Sequence, residues 1–197
     1  MEFSNFIFFI CLALCFLANT SHAACPKNVK PHRNFKLGRQ FGKWNSYAYS
    51  PFTFLKAGAD CLSTEYKQRA NGRKGNNVFL DVINYKNGQQ SKKSGYYQLQ
   101  NPGHVWTGKT DAKARQSSTQ QTFIYQSENI AYVWGCLSFL GMDDQPVLNI
   151  LAREGTRLTP RQARNHVKQA TILLSGMGYT GRVGLQKSMY YPKQRNC

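Results

Sequence analysis

The sequence predicts an all-β protein: an eight-stranded up-and-down antiparallel β-barrel with one C-terminal α-helix packed outside it. Three observations carry this expectation. Strand-like runs separated by turn residues recur at short spacing between Phe41 and Ser138. No helix-period segment lies between them, so a parallel sheet built from βαβ units is excluded. A single amphipathic segment then follows near the C-terminus, and closing the sheet into a barrel removes the exposed edges that so many strands would otherwise leave.

Residues 7–18 (IFFICLALCFLA) form an unbroken apolar run. It is far shorter than the roughly 20 residues a membrane-spanning helix needs. The small residues Ala23 and Ala24 that follow suit signal-peptidase cleavage, although the preceding MEFSN carries no basic residue. Residues 1–24 are therefore expected to be a signal peptide, with a retained anchor as the competing reading, and 25–197 a single secreted, extracellular domain.

The strand expectations fall at 44–49, 61–66, 78–85, 96–99, 105–110, 122–126 and 130–139, with a short last strand within 179–189. Asn71-Gly72 and Gly75-Asn76 read as punctuation, and Lys86-Asn87-Gly88 as a hairpin turn whose Asn-Gly pair tolerates positive φ. Gly141-Met142-Asp143-Asp144-Gln145-Pro146 reads as a turn. The helix has a full start signal: Thr159 caps it, Pro160 suits its first position, and Gln162 completes a capping box. Ala163, Val167, Ala170 and Leu174 recur on one face, and Gly176 is the expected stop.

Charge narrows the partners. The chain has 26 Lys and Arg against nine Asp and Glu, a net charge of +17, and loss of the leader removes Glu2 alone. Such an excess points to anionic partners such as membrane headgroups or sulfated glycans, or to a basic surface that is simply solvated. Nucleic acid is not expected for a secreted chain without a zinc-finger or RNA-binding motif.

Six cysteines are present, and Cys11 and Cys15 belong to the leader. The remaining Cys25, Cys61, Cys136 and Cys197 suit two disulfides in an exported chain, and their spacing leaves all three connectivities open. No close C-x-x-C pair suggests a metal or redox site.

Three blocks carry a family resemblance. The first is Cys25-Pro26, then Asn34-Phe35, then Gly42-Lys43-Trp44. The second is Ser127-Glu128-Asn129-Ile130-Ala131-Tyr132-Val133-Trp134-Gly135-Cys136. The third is Ile150-Leu151-Ala152-Arg153 followed by Leu158-Thr159-Pro160. Together they resemble the lipocalins, and most closely the branch of apolipoprotein D, the insect bilin-binding proteins and Lazarillo. The resemblance spans nearly all of 25–197. It implies that Gly42, Trp44 and Arg153 close one end of the barrel, with the arginine over the tryptophan as a structural plug. It also implies the pairings Cys25–Cys136 and Cys61–Cys197, each closing a long loop worth roughly 4–5 kcal/mol on a chain-entropy estimate. The chain departs from the family where Tyr125-Gln126-Ser127 stands in place of a Thr-Asp-Tyr that helps to tie down a closed-end loop.

Chemistry has little to work with. His22 leaves with the leader, His32 lies in a basic segment, His166 sits off the helix's apolar stripe, and only His104 is near a candidate strand. One histidine suffices for a haem but is weak ground for one, so no haem, other cofactor or metal is expected. With the cysteines paired and Asp143-Asp144 in a turn, no nucleophile–base set remains and no enzyme activity is expected.

Binding has more. An eight-stranded barrel encloses room for one small ligand in a mostly apolar interior. Strand alternation puts Trp44, Ser46 and Ala48 on one face and Asn45, Tyr47 and Tyr49 on the other, packed outward. Small Ser46 and Ala48 would leave space inside, with Phe79, Tyr97, Trp106, Phe123, Tyr125 and Tyr132 as further candidate lining. For 78–85 the alternation does not say which face points in. The expected function is that of a carrier binding a small hydrophobic ligand, whether lipid, fatty acid, sterol, retinoid or tetrapyrrole. The alternative is a basic extracellular interaction protein for anionic membrane or glycan surfaces, its pocket incidental.

Overall fold

The computed structural model describes residues 29–50, 59–74, 77–101, 103–107, 120–139 and 142–195, with backbone alone at 69–74, 77–80, 91–98, 100–101, 104–107, 120, 137–139 and 142–145. The expected leader 1–24 and two of the cysteines, Cys25 and Cys197, lie outside the described residues.

Eight strands follow one another: β1 (Gly42–Tyr49), β2 (Leu62–Lys74), β3 (Asn77–Lys86), β4 (Gln89–Asn101), β5 (His104–Thr107), β6 (Gln120–Gln126), β7 (Ile130–Phe139) and β8 (Met142–Arg153). Each pairs antiparallel with the next, and β8 returns to pair with β1, so the sheet closes on itself as a barrel. Two helices follow, α1 (Pro160–Gly176) and α2 (Arg182–Ser188). No described helix is long and apolar enough to cross a membrane.

Local chemistry explains the elements. The turn between β3 and β4 places Asn87 at φ 51° and Gly88 at φ 79°, the conformations an Asn-Gly hairpin favours. At the start of α1, Gln162 N donates to Thr159 Oγ1 at 3.2 Å and Thr159 N donates to Gln162 Oε1 at 2.8 Å, a reciprocal capping box. The helix buries Ala163, Val167, Ala170, Thr171 and Leu174 against the barrel wall.

Several expectations need correction. Asn71-Gly72 lies inside β2, where the pairing with β3 shifts register between Gln68 and Arg73. Asp143-Asp144 lies within β8 instead of a turn, because the reversal falls earlier, after Phe139. Within the segment 179–189, residues 182–188 form α2 instead of a strand; Tyr190 beyond it makes a bridge, pairing with Tyr49. The left-handed residue after α1 is Gly178, at φ 92°, while Gly176 is still helical.

The buried residues separate into two main groups. One lies between the barrel wall and α1, and includes Tyr47, Ala48, Ile124, Tyr132, Trp134 and Ile150 with Val167 and Leu174. The other contains no helix residue. It joins Trp44, Tyr66, Val82, Phe123, Val133 and Leu151, with Phe35, Leu37 and Phe41 packed against it. The first is the outer layer under the helix; the second fills the inside of the barrel at one end. Val82 in the second group identifies the inward set of β3.

Candidate functional site

The inner end is built from the N-terminal segment. His32 N donates to Phe123 O at 2.7 Å, which draws the chain under β6. The Phe35 ring then stacks on Phe123 with centroids 5.1 Å apart. A 3-10 turn at Leu37–Gln40 delivers the chain into β1. Trp44 is completely buried, and its Nε1 donates to Gln40 O at 2.9 Å. Trp44 pairs with Arg153 across β1 and β8, and the guanidinium lies over the indole, Cζ 4.5 Å from the ring centroid.

Arg153 holds three backbone carbonyls together. Its Nη1 donates to Phe41 O at 3.0 Å, its Nε to Glu128 O at 3.0 Å, and its Nη2 to Arg39 O. One planar fork thus ties the entering chain, β8 and the turn between β6 and β7. Gln126 occupies the place where the expected aspartate is missing. Its Oε1 accepts from Lys36 N at 2.8 Å and its Nε2 donates to Gln40 Oε1 at 3.3 Å. The amide thus ties the N-terminal segment to β6 at two points. Gly42, at φ 103°, holds a backbone conformation that suits glycine, and a Cβ there would meet Nη1 at an ordinary contact of 3.4 Å.

Above this plug the inner face can be followed by register. Ser46 shares the face of Trp44 and pairs with Leu151; Asn149, two residues before Leu151, shares that face too. Thr64 pairs with Trp44 and donates to Asn84 Oδ1 at 3.0 Å on the neighbouring strand. Ser46 Oγ and Asn149 Oδ1 are both buried and have no hydrogen-bond partner. A buried polar atom left unpaired costs about 1–3 kcal/mol.

Of the candidate lining residues, Ser46 and Phe123 lie on the inner side, Phe123 inside the plug. Ala48, Tyr125 and Tyr132 do not: all three pack in the layer facing α1. For the first two the cause is a register shift. The β1–β8 pairing slips between Ser46 and Ala48, and the β6–β7 pairing between Phe123 and Tyr125, so simple alternation assigns the wrong face beyond each irregularity. Tyr132 lies between the inward Ala131 and Val133 and therefore points out. Tyr47 packs outward as expected, its hydroxyl donating to Thr156 O at 2.9 Å. Tyr49 instead joins Ala59 and Leu62. Phe79 and Trp106 fall in one register row with Gln98, and Tyr97 in the adjacent row; their side chains lie outside the described residues.

The titratable groups serve the wall–helix contact. The Tyr132 hydroxyl donates to Gln169 Oε1 at 2.9 Å, so its 2.7 Å contact with His166 Nδ1 requires the proton on that nitrogen. Burial raises the Tyr132 phenol above its ordinary value, with the nearby Tyr125 adding to the effect. Desolvation holds His166 below its usual value, against a smaller opposing hydrogen bond from Gln169. His32 Nδ1 is buried and unpartnered, its ring tilted on Tyr125. The side chain of His104 lies outside the described residues. Among the described residues no group of three or more His, Cys, Asp or Glu converges on a metal-sized site. Cys61 and Cys136 are both disulfide-bonded.

Alternation alone did not anticipate a groove of about 710 Å³ on the outside, between β1, the loop after β8 and the C-terminal tail. Tyr47, Leu158, Ala163 and Tyr191 give it an apolar side, Arg157 and Lys193 a basic one. The unpartnered Asn45 Oδ1 sits in its wall.

No protein-family model matches the sequence, and no curated protein matches it. Among solved structures the fold is similar to that of insecticyanin from the tobacco hornworm Manduca sexta, a lipocalin. The TM-score is 0.54, the sequence identity 15%, and the match covers 87% of this chain and 87% of that one. The likeness is one of fold.

Proposed function

We propose that this protein is a secreted, non-enzymatic carrier that binds one small hydrophobic molecule inside its barrel, in the manner of the apolipoprotein D, bilin-binding protein and Lazarillo branch of the lipocalins. The observation that carries this reading is the inner wall above the Trp44–Arg153 plug. There the apolar Leu151 stands beside polar groups, and two of these, Ser46 Oγ and Asn149 Oδ1, lack partners. Such a wall suits a ligand with an apolar body and a polar end. The body gains roughly 25 cal/mol for each Å² removed from water, and the polar end pairs with the serine and the asparagine.

The reading takes 1–24 as a cleaved leader and 25–197 as the exported domain. It takes Cys25–Cys136 and Cys61–Cys197 as the disulfides, one fastened to β7 and the other just before β2. A fatty acid, a sterol, a retinoid and a tetrapyrrole all have the required chemistry. The test is a titration of each class followed by tryptophan fluorescence, on the wild type and on Ser46→Val. The wild type should be quenched by at least one class. The variant should lose roughly tenfold in affinity for a ligand with a polar end, the worth of one good hydrogen bond. Absence of quenching by every class in a folded protein would overturn the reading.

A further inference from the structure

The outward side of the two helices has a composition that ligand carriage leaves unused. At 100° per residue, Arg161, Arg164, Lys168 and Ile172 form one stripe along a solvent-facing flank of α1. All four are exposed. α2 lies beside the same flank: its Leu185 is buried, and Gln186 Nε2 donates to Thr171 Oγ1 at 2.6 Å. That leaves Arg182, Val183 and Lys187 exposed next to the stripe. Burial raises the Tyr191 phenol above its ordinary value and Arg164 lies close enough to oppose this in part, while Lys193 and Arg195 extend the basic surface along the tail.

No acidic residue of the two helices or the tail offsets the charge. From Gly155 to the C-terminus the sequence contains no Asp or Glu. The last acidic residue before it, Glu154, is paired with Lys43 at 3.2 Å. Within the same basic field stand large aliphatic side chains turned to solvent: Ile172 is 52% exposed, Val183 63% and Leu173 39%. A single exposed aliphatic residue is ordinary. Aliphatic residues set among uncompensated cations, on two helices clamped to a rigid wall, match an interface that is anionic at its surface and apolar just beneath.

We propose that α1 and α2 form a docking surface for an anionic phospholipid bilayer. The arginines and lysines meet headgroup phosphates and carboxylates, while Ile172 and Val183 enter the boundary between headgroups and acyl chains. A sulfated glycan would satisfy the cations but leave both aliphatic side chains in water, so the bilayer accounts for more of the surface. The helices are already packed on the barrel, so binding carries little ordering cost. The proposal is independent of any ligand inside the barrel.

The experiment is sedimentation of the full chain with vesicles of phosphatidylcholine alone and of phosphatidylcholine mixed with phosphatidylserine. Binding is expected to the mixed vesicles only, and to weaken steeply with salt. Arg164→Gln with Lys168→Gln should reduce the affinity roughly fivefold for each charge removed. Ile172→Ser with Val183→Ser should reduce vesicle affinity by roughly tenfold or more while leaving retention on heparin unchanged. In a separate variant, Ile172→Trp should show a blue-shifted emission on mixing with the anionic vesicles. Three results would each overturn the proposal: no sedimentation at low salt, vesicle affinity indifferent to the paired serine variant, or heparin binding without vesicle binding.

Discussion

The Arg153 guanidinium lies over the Trp44 indole, 4.5 Å from its centroid, and donates at the same time to backbone carbonyls of Phe41, Arg39 and Glu128. The aromatic face and the carbonyls together make a site that only a planar, five-donor cation fills. The barrel's inner end is therefore held by one side chain from the last strand acting on the chain that enters the first.

Trp44→Ala should cost about 3–5 kcal/mol of stability, as expected for removing a large, completely buried side chain. A urea titration measures it. Because Trp44 belongs to the plug and Ser46 lies above it, any folded fraction should keep its ligand affinity. Loss of binding in a fully stable Trp44→Ala protein would place the ligand in the plug.

Arg153→Lys keeps the charge and loses the fork. An ammonium cannot reach three carbonyls in three directions, so the substitution should destabilise by about 2 kcal/mol. An unfolding midpoint equal to that of the wild type would contradict this role.

Gly103→Ala should destabilise more than Gly155→Ala. Both glycines have positive φ, 86° and 87°. A Cβ on Gly103 would lie 2.4 Å from the Pro31 Cβ, whereas one on Gly155 meets nothing within 4 Å. The second change should cost only the backbone penalty of about 1–2 kcal/mol. The first adds a collision that pushes Pro31 away and should speed hydrogen exchange at the His32 amide, which donates to Phe123 O. Equal losses of stability would count against the close approach.

His166 gives a pH dependence whose sign is fixed by desolvation. Its folded pKa is depressed below the unfolded value of about 6.5, so the unfolded chain binds the proton more readily. The stability associated with the neutral ring is present above that value and is lost as pH falls through it towards the folded pKa. Thermal unfolding of the wild type between about pH 8 and about pH 5 should fall more steeply than that of His166→Gln. Parallel curves would show that the imidazole under the barrel wall does not titrate as described.

How far the sequence carried differs between elements. The placing of Arg153 over Trp44 was legible because the resemblance lies in residues that make backbone and ring contacts with one another. The start of α1 was legible because Thr159 and Gln162 satisfy each other locally, with no help from the rest of the fold. Ala48 and Tyr125 were misplaced because a single register slip reverses every face beyond it, and nothing in Ser46-Tyr47-Ala48 or Phe123-Ile124-Tyr125 signals the slip. β8 was not anticipated as a strand; its first half, Asp143-Asp144-Gln145-Pro146, has turn composition and is held as strand by pairing with β7. The segment 182–188 became a helix because Leu185 and Gln186 find partners on α1, a tertiary effect that local pattern does not encode.

The central claim is that the inner wall above the Trp44–Arg153 plug holds a small hydrophobic molecule. Native mass spectrometry of the folded chain tests it most directly. The account predicts a bound mass that is released on denaturation, or that appears when a fatty acid, sterol, retinoid or tetrapyrrole is added. A folded protein that carries only its own mass, and takes up none of these classes, would contradict it.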